Sequence, residues 1–258
     1  MDDKILRDGQ FVLFLDLLGF RDIVQTQPPW KVYKLINTAL NACNAIRLLD
    51  SSLGMVHFSD SFVIYGSTAG YDDYFLKRLI VLTGSVTTGL LARNMPVRGS
   101  IAFGDLTVHK DYNGMFDVFF GKALLEALDA EKRDDWIGVT ICPSAWKPAS
   151  DKDPPWLPKM QEQRRLIVRE DGMVALNPVP NLICQFWQKQ DRNYRGELVS
   201  DIQAYRFLKK ESEVDDRDKR VTSKFRATMD FLHTILPPEC LQWAESSSDG
   251  NERGRKKQ

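Results

Sequence analysis

The sequence predicts an α+β fold in which a split β-α-β sheet of ferredoxin-like type carries helices on one face. Three observations support it. β-type and helical patterns alternate as strand, helix, paired strands, helix and strands; the periodicity weakens after residue 149; and 258 residues, 43% of them apolar, suffice for a full core. We expect one domain over residues 1–148, a C-terminal extension over 149–244 packed on the core or on a dimer, and a disordered tail over 245–258.

The first strand and the first long helix have the clearest patterns. Residues 11–17 form a near-continuous β-type apolar run interrupted by Asp16, which is typical of a central strand buried on both faces. Gly19 then breaks the run. Apolar residues recur at intervals of three and four over residues 30–49, which predicts an amphipathic helix.

A hairpin and four further elements complete the first half. Two short β-type segments flank Ser59-Asp60-Ser61, so Asp60 is expected at the bend of a hairpin. The pattern continues with a helix at 71–93, strands at 97–103 and 106–109, a turn at Asn113-Gly114, a helix at 117–131 and a strand at 137–142.

The second half has fewer regular patterns. A proline-rich connector occupies residues 154–158, and the charged block at 209–220 predicts a solvated helix face or loop. Residues 222–236 predict a last amphipathic helix that ends at Pro237-Pro238.

Composition excludes several classes of protein. The chain has 35 Lys and Arg against 35 Asp and Glu, so no global field attracts nucleic acid. The opening residues lack the basic and apolar regions of a secretory signal, and no uncharged run is long enough to cross a membrane. We expect a cytoplasmic protein with no nucleic-acid partner and no membrane insertion.

The four cysteines lie far apart in the sequence, which predicts buried thiols and neither a zinc site nor a disulfide framework: Cys43, Cys142, Cys184 and Cys240.

Two acidic residues interrupt the apolar context of neighbouring predicted strands. Asp16 lies near the end of the first strand and Asp60 at the hairpin bend, so both carboxylates can converge at one edge of the sheet. Hard oxygen ligands of this kind suit Mg²⁺ or Mn²⁺ together with substrate phosphates. Taken separately, Asp16 also fits a cap for the following helix, and Asp60 an ordinary turn.

The residues around these acids resemble the metal-binding motifs of class III nucleotide cyclases. Phe14-Leu15-Asp16-Leu17-Leu18-Gly19-Phe20 is similar to the first motif, and Phe58-Ser59-Asp60 to the second. The segment from Arg98 to Gly104 keeps the arginine and the last glycine of a later strand motif but has Ser100 at its middle position. Asn113-Gly114 matches the hairpin that follows this strand in the family, and Gly121 matches the glycine that precedes the family's dimer-facing helix. The resemblance covers residues 11–131.

The resemblance implies two Mg²⁺ or Mn²⁺ ions held by Asp16, Asp60 and the backbone carbonyl of Leu17. These ions would activate the ribose 3′-hydroxyl of a nucleoside triphosphate and hold its phosphates. Arg98 matches the phosphate-binding arginine. The same resemblance implies substrate contacts at Gly19, Phe20, Val56 and Phe58. Lys122 either supplies charge to the leaving group or is a solvated lysine at a helix start.

The sequence departs from classical adenylyl cyclases at the base-reading and transition-state positions. Val56 and Val118 stand at the places of the purine-reading lysine and its acidic partner. Leu125 and Asp129 replace the transition-state asparagine and arginine.

Residues 121–131 look instead like the corresponding helix of the bacterial pyrimidine cyclases of Pycsar antiphage defence systems. That resemblance implies a homodimer that converts UTP, in preference to CTP, into a 3′,5′-cyclic monophosphate (cUMP or cCMP). The product would act on a separate cyclic-nucleotide-gated effector. The alternatives are a cytidylate or purine nucleotide cyclase, or a degenerate cyclase domain that senses a nucleotide. A two-metal nuclease is disfavoured because no basic stripe is present.

Overall fold

The computed structural model describes residues 9–49, 53–67, 70–110, 117–182, 199–214 and 219–246. Its centre is a seven-stranded sheet of order β2-β3-β1-β4-β7-β9-β8, beside a separate β5-β6 hairpin. Of the described strand pairs, β4-β7 alone is parallel. The strands are β1 Gln10–Leu17, β2 Leu53–Phe58, β3 Ser61–Ser67, β4 Val97–Gly104, β5 Thr107–Lys110, β6 Asp117–Phe120, β7 Gly138–Ile141, β8 Leu166–Val168 and β9 Val174–Leu176.

Nine helices fall within the described residues, and local sequence signals set several of their ends. The Asp72 side chain caps α3 by accepting hydrogen bonds from the backbone N–H groups of Tyr74 and Phe75. Pro28 lies between α1 and α2, and Pro29 is the first residue of α2, a position that proline favours. The helices are α1 Phe20–Thr26, α2 Pro29–Leu49, α3 Asp73–Leu91, α4 Lys122–Arg133, α5 Pro143–Lys152, α6 Trp156–Glu162, α7 Val199–Ser212, α8 Lys219–Ile235 and α9 Pro238–Ser246.

Helices cover both faces of the sheet, so the expectation of helices on one face was wrong. Residues of β1 alternate between the two sides because the side-chain period of a strand is two. Phe11, Leu13 and Leu15 join the core beneath α2, α3, α5 and α6. Val12 and Phe14 face the opposite side, where α4 and the β5-β6 hairpin pack. A central strand that is apolar on both sides requires a cover on each.

The helix expected over residues 117–131 begins later than predicted. Residues 117–120 form β6, which pairs with β5, and α4 starts at Lys122. Gly121 separates the two elements at a point of close backbone approach. A Cβ at this position would lie 2.2 Å from the carbonyl oxygen of Asp105. The chain therefore turns from strand to helix at a residue that must be glycine.

The second half of the chain extends the sheet and covers one end of it. β9 pairs with β7, and β8 forms the outer edge. Helices α7, α8 and α9 form a second apolar cluster that includes Leu91 and Ile137 and contacts Leu18. The backbone N–H of Ile137 donates to Thr228 Oγ1 at 2.8 Å. Residues after 148 thus contact the turn that follows β1. The disordered tail was expected over residues 245–258; Glu245 and Ser246 instead end α9, and residues 247–258 lie outside the described residues.

Three of the four cysteines lie within the described ranges, and all three are buried: Cys43, Cys142 and Cys240. Burial raises the pKa of the Cys43 and Cys142 thiols to about 12. Cys184 lies outside the described residues. Across the ranges given above, no helix is both long enough and apolar enough to cross a membrane.

Candidate active site

Three strands place a serine, an aspartate and an arginine side by side. Asp16, near the end of β1, pairs with Ser61 of β3 on one side and with Arg98 of β4 on the other. Ser61 Oγ donates to Asp16 Oδ1 at 3.0 Å, and Arg98 Nη2 donates to Asp16 Oδ2 at 3.3 Å. The row therefore fixes the Asp16 carboxylate from both sides.

Asp60 lies next to this row, in the two-residue turn between β2 and β3. Ser59 of the same turn has a φ of 57°, in the left-handed region. The backbone N–H of Leu17 donates to the carbonyl oxygen of Asp60 at 3.1 Å, which ties the turn to the end of β1. The structure thus brings Asp16 and Asp60 together at one edge of the sheet.

The pKa of Asp16 is raised above its usual value, chiefly because burial disfavours the charged form. The negative charge of Asp60 raises it further, whereas Ser61 and Arg98 act in the opposite direction. The fold therefore holds two carboxylates close together without enough positive charge to neutralise them. Such an arrangement favours the binding of a cation.

The sequence analysis missed a third carboxylate at this site. Glu131, in the last turn of α4, forms an ion pair with Nη2 of Arg98. Only 5% of the Glu131 side chain is exposed, and burial raises its pKa. Glu131 is followed by the charged residues Lys132 and Arg133, which are exposed, and such a run is typical of a solvated helix end. A signal was nevertheless present, since Glu131 lies four residues after Ala127 and eight after Ala123, at helical spacing from both.

The residues of the two motifs fit the divalent ions that the sequence predicts. Asp16 and Asp60 offer carboxylate oxygens, and Leu17, next to Asp16 in the first motif, offers a backbone carbonyl; all are hard donors. Within the described part of the chain, no group of three or more His, Cys, Asp and Glu could hold a metal by itself. Mg²⁺ commonly binds through one or two carboxylates and completes its shell with water and substrate phosphates. The donor set therefore suits ions that arrive with a nucleotide.

The turn after β1 borders a cavity of about 590 Å³. Gly19 adopts a φ of 77° and precedes α1, whose first residue, Phe20, packs against the core. Leu18 and Gly19 line the cavity together with residues of α7 and α8. Its lining includes none of Asp16, Asp60 and Arg98. The acids thus lie outside this cavity, on the side of the sheet that α4 covers.

The predicted base-reading positions lie on two strands that belong to different sheets, β2 and β6. Val56 pairs with Val63 and packs partly against the cluster beneath α4. Phe58, at the end of β2, is 79% exposed. Val118 pairs with His109 in the β5-β6 hairpin, and its side chain lies outside the described part of the chain.

Lys122 is not close to Asp16 within one chain. It is the first residue of α4, nine residues before Glu131, and a helix of that length spans about 14 Å. Its side chain is 86% exposed and lies 3.7 Å from Asp105 Oδ2. Leu125 and Asp129 follow at helical spacing and are also exposed. This face of α4 is open to another molecule.

Comparison with known proteins identifies the fold. No family model matches the chain, and no curated protein matches it. The monomeric guanylyl cyclase domain of the RhoGC fusion protein from the aquatic fungus Blastocladiella emersonii is similar in structure, with a TM-score of 0.50 at 11% identity over 66% of this chain and 94% of that one. This is a nucleotide cyclase fold.

Two further solved cyclases are similar at lower TM-scores. The guanylyl cyclase Cya2 has a TM-score of 0.48 at 13% identity over 67% of this chain and 93% of that one. The adenylyl cyclase CyaB from P. aeruginosa has a TM-score of 0.46 at 18% identity over 57% of this chain and 83% of that one.

Within this cyclase fold, Ser100 has a local structural role. It occupies the middle position of the β4 motif, is fully buried, and donates from Oγ to the carbonyl oxygen of Ala127 at 2.5 Å. The bond fastens α4 to β4 two residues beyond Arg98. The departure from the family motif at this position thus contributes to holding the helix that carries Glu131.

Proposed function

We propose that the chain is a metal-dependent nucleotide cyclase that converts a ribonucleoside triphosphate to its 3′,5′-cyclic monophosphate and pyrophosphate. The observation that carries the proposal is the row formed by Asp16 and Arg98 beside Asp60, within a nucleotide cyclase fold. A paired acid for cations next to an arginine for phosphate suits phosphoryl transfer.

In the proposed reaction, the 3′-oxygen bonds to the α-phosphorus, the bond from that phosphorus to the β-bridging oxygen breaks, and the 3′-hydroxyl proton is released. Asp16, Asp60 and the carbonyl of Leu17 would hold two Mg²⁺ or Mn²⁺ ions. When bound, these ions supply Lewis acidity at the 3′-hydroxyl and positive charge at the triphosphate. Arg98 offers a planar guanidinium that can bind phosphate oxygens and the charge that develops on them.

The active form proposed here is a homodimer. Each chain exposes apolar side chains on β2, β6 and α4, among them Phe58, Phe120 and Leu125. The Lys122 face of α4 points away from its own sheet, so a second copy could bring it to the acids of the first. A two-fold arrangement of this kind creates two equivalent sites.

We further propose a pyrimidine substrate, with UTP ahead of CTP and with the product acting on a separate effector in antiphage defence. The support is the pair of valines at the purine-reading positions, Val56 and Val118. Valine cannot hydrogen-bond the polar edge of a purine, and each unpaired buried polar group costs about 1–3 kcal/mol. The expected discrimination against purines is therefore roughly tenfold to hundredfold.

The experiment that tests both proposals is a competition among the four ribonucleoside triphosphates with Mn²⁺, with the products resolved by mass. We expect cyclic UMP first and cyclic CMP second, and no cyclic product from the matched Asp60→Asn variant. Comparable turnover of ATP or GTP would overturn the pyrimidine proposal and leave the cyclase mechanism in place. Nucleotide binding without any product would instead favour a sensor domain.

A further inference from the structure

Glu131 is a buried acid on a helix face that is otherwise apolar. It lies in the last turn of α4, and the sheet-facing positions before it are Ala123, Ala127 and Ala130. Removing a carboxylate from water is costly, and replacing a buried ion pair by apolar residues is often neutral or stabilising. Stability alone is therefore a weak explanation for an acid at this position.

The counterion of Glu131 is the guanidinium of Arg98. Nη2 of Arg98 contacts Glu131 and also lies 3.3 Å from Asp16 Oδ2. One guanidinium thus stands between two carboxylates, and the negative charge of Asp60, in the turn tied to the end of β1, also acts on Asp16. The cluster keeps an excess of negative charge, which favours the arrival of a divalent cation.

The position of Glu131 affects how strongly Arg98 competes for Asp16. A guanidinium paired with a single carboxylate forms a strong charge-assisted hydrogen bond, which a metal ion would have to break. A second carboxylate at the same Nη2 shares that attraction. Asp16 then keeps more of its charge for a cation, while Arg98 stays at the edge of the site.

We propose that Glu131 is a positioning residue that holds Arg98 between itself and Asp16 and so keeps Asp16 available to a divalent cation. This inference rests on the proposed metal-dependent function, because it concerns the same acids. It assigns to α4 a role toward the metal site of its own chain, in addition to the role proposed for Lys122 across a dimer.

The test measures Mn²⁺ binding without nucleotide, by the electron paramagnetic resonance signal of free Mn²⁺. Glu131→Gln keeps the shape of the side chain and removes its charge, so Arg98 pairs fully with Asp16. We expect the dissociation constant for Mn²⁺ to rise about tenfold. Glu126→Gln is the matched control, because Glu126 is a half-buried glutamate of the same helix that contacts the backbone N–H of Ser144. It should leave Mn²⁺ binding unchanged.

The decisive comparison repeats the substitution in a protein that lacks the guanidinium. In an Arg98→Gln background, Glu131→Gln should change the dissociation constant by less than about threefold, since no guanidinium remains to be redirected. Equal losses in both backgrounds would overturn the proposal. Glu131→Asp keeps the charge and should stay within about threefold of the parent. A loss as large as that of Glu131→Gln would mean that packing, not charge, is responsible, and would also overturn it.

Failure of this inference is distinguishable from failure of the proposed function. If the parent protein binds Mn²⁺ and Glu131→Gln binds it equally well, the positioning role is wrong and the metal site stands. If the parent binds no Mn²⁺ without nucleotide, the positioning role in the free protein is wrong, and the competition among the four triphosphates alone decides the proposed function. Thermal unfolding of each variant, followed in parallel, reports whether a loss of binding reflects a loss of fold.

Discussion

At position 16 the fold holds a carboxylate on a strand whose other residues are almost all apolar. Burial and the charge of Asp60 both raise the pKa of Asp16, so its ionised form is unfavourable in the metal-free protein. Ser61 and Arg98 compensate in part. The residue thus lowers stability where it is expected to serve function, a trade-off common at active sites.

Asp16→Asn and Asp60→Asn should each reduce cyclic nucleotide formation below about one-hundredth of the parent rate, because each removes a proposed metal ligand. Asp16→Asn should also raise the melting temperature at about pH 7, because it removes an unfavourable buried charge. Ser61→Ala, which deletes one hydrogen bond to Asp16, serves as the milder comparison. Product assays and thermal melts on the three variants check this. A variant of either aspartate that keeps more than about one-hundredth of the activity would contradict the metal-ligand assignment.

Asp201 gives a second prediction at a site remote from the acids. Its side chain is 1% exposed and accepts a hydrogen bond from the backbone N–H of Asn181 at 2.9 Å. Burial raises the pKa of Asp201 to about 6. The folded state therefore holds this proton to a higher pH than the unfolded state, and the free energy of unfolding falls as pH rises from about 4 to about 6.

Asp201→Asn should remove that part of the pH dependence. Above about pH 6 the variant should be more stable than the parent, and the difference should shrink toward about pH 4. Urea unfolding across this range provides the measurement. Asp230→Asn, at an exposed position on α8, is the matched control and should leave the slope unchanged. A parallel shift of the whole curve in Asp201→Asn would show that packing rather than charge is responsible.

Among the elements, α8 is joined to the start of β7 by a buried hydrogen bond. Thr228 is fully buried, accepts from the N–H of Ile137 and donates to the carbonyl oxygen of Lys224 at 2.7 Å. Lys224 in turn forms an ion pair with Asp135. The helix thereby reaches the segment between α4 and β7, a few residues after Glu131.

Thr228→Val keeps the shape of the side chain but leaves the N–H of Ile137 without its acceptor. The expected loss is about 1–3 kcal/mol of unfolding free energy, or roughly 2–4 °C in melting temperature for each kcal/mol in a protein of this size. Thr234→Val is the matched control, because Thr234 lies on the same helix at an exposed position and bonds only to its own helix. Equal effects of the two substitutions would mean that helix propensity, not the bond to β7, accounts for the loss.

Local patterns predicted most elements of the first half because strands and helices there are long and regularly apolar. The helix over residues 30–49 and the hairpin bend at Asp60 are examples. The strand at 117–120 was missed because four residues are too few for periodicity to separate from a following helix. The face of the sheet that α4 covers depends on its tertiary packing against β1. A short window of sequence does not reveal this packing.

At the candidate site, the sequence predicted those residues whose types and spacing form recognisable motifs, namely Asp16, Asp60 and Arg98. The sequence analysis did not identify Ser61 and Glu131 as site residues, for different reasons. Ser61 directly follows the second motif, and its contact with Asp16 depends on strand register. Glu131 lies in a helix end rich in charge, and only the packing of α4 shows that it is buried.

For the whole molecule, the open face of α4 predicts function across two chains. An Asp16→Ala chain mixed with a chain altered at Lys122 should regain activity, because a heterodimer would contain one intact site, provided that Lys122 acts on its partner. Each variant alone should be inactive or strongly impaired. The measurements are product formation against mixing ratio and the mass of the complex in solution. A monomer with full activity at assay concentration would contradict the dimer.

The bond between Ile137 and Thr228 joins residues 91 positions apart, and this separation constrains the order in which the protein can fold. During synthesis on a ribosome, β7 would emerge long before α8. Until then Leu91 and Ile137 would lack their apolar cover, and β7 would form an unpaired edge until β9 arrived. Non-local contacts of this kind slow folding. The apolar cluster that covers Leu91 and Ile137 therefore closes only after translation has passed Ala244, the last buried residue of that cluster.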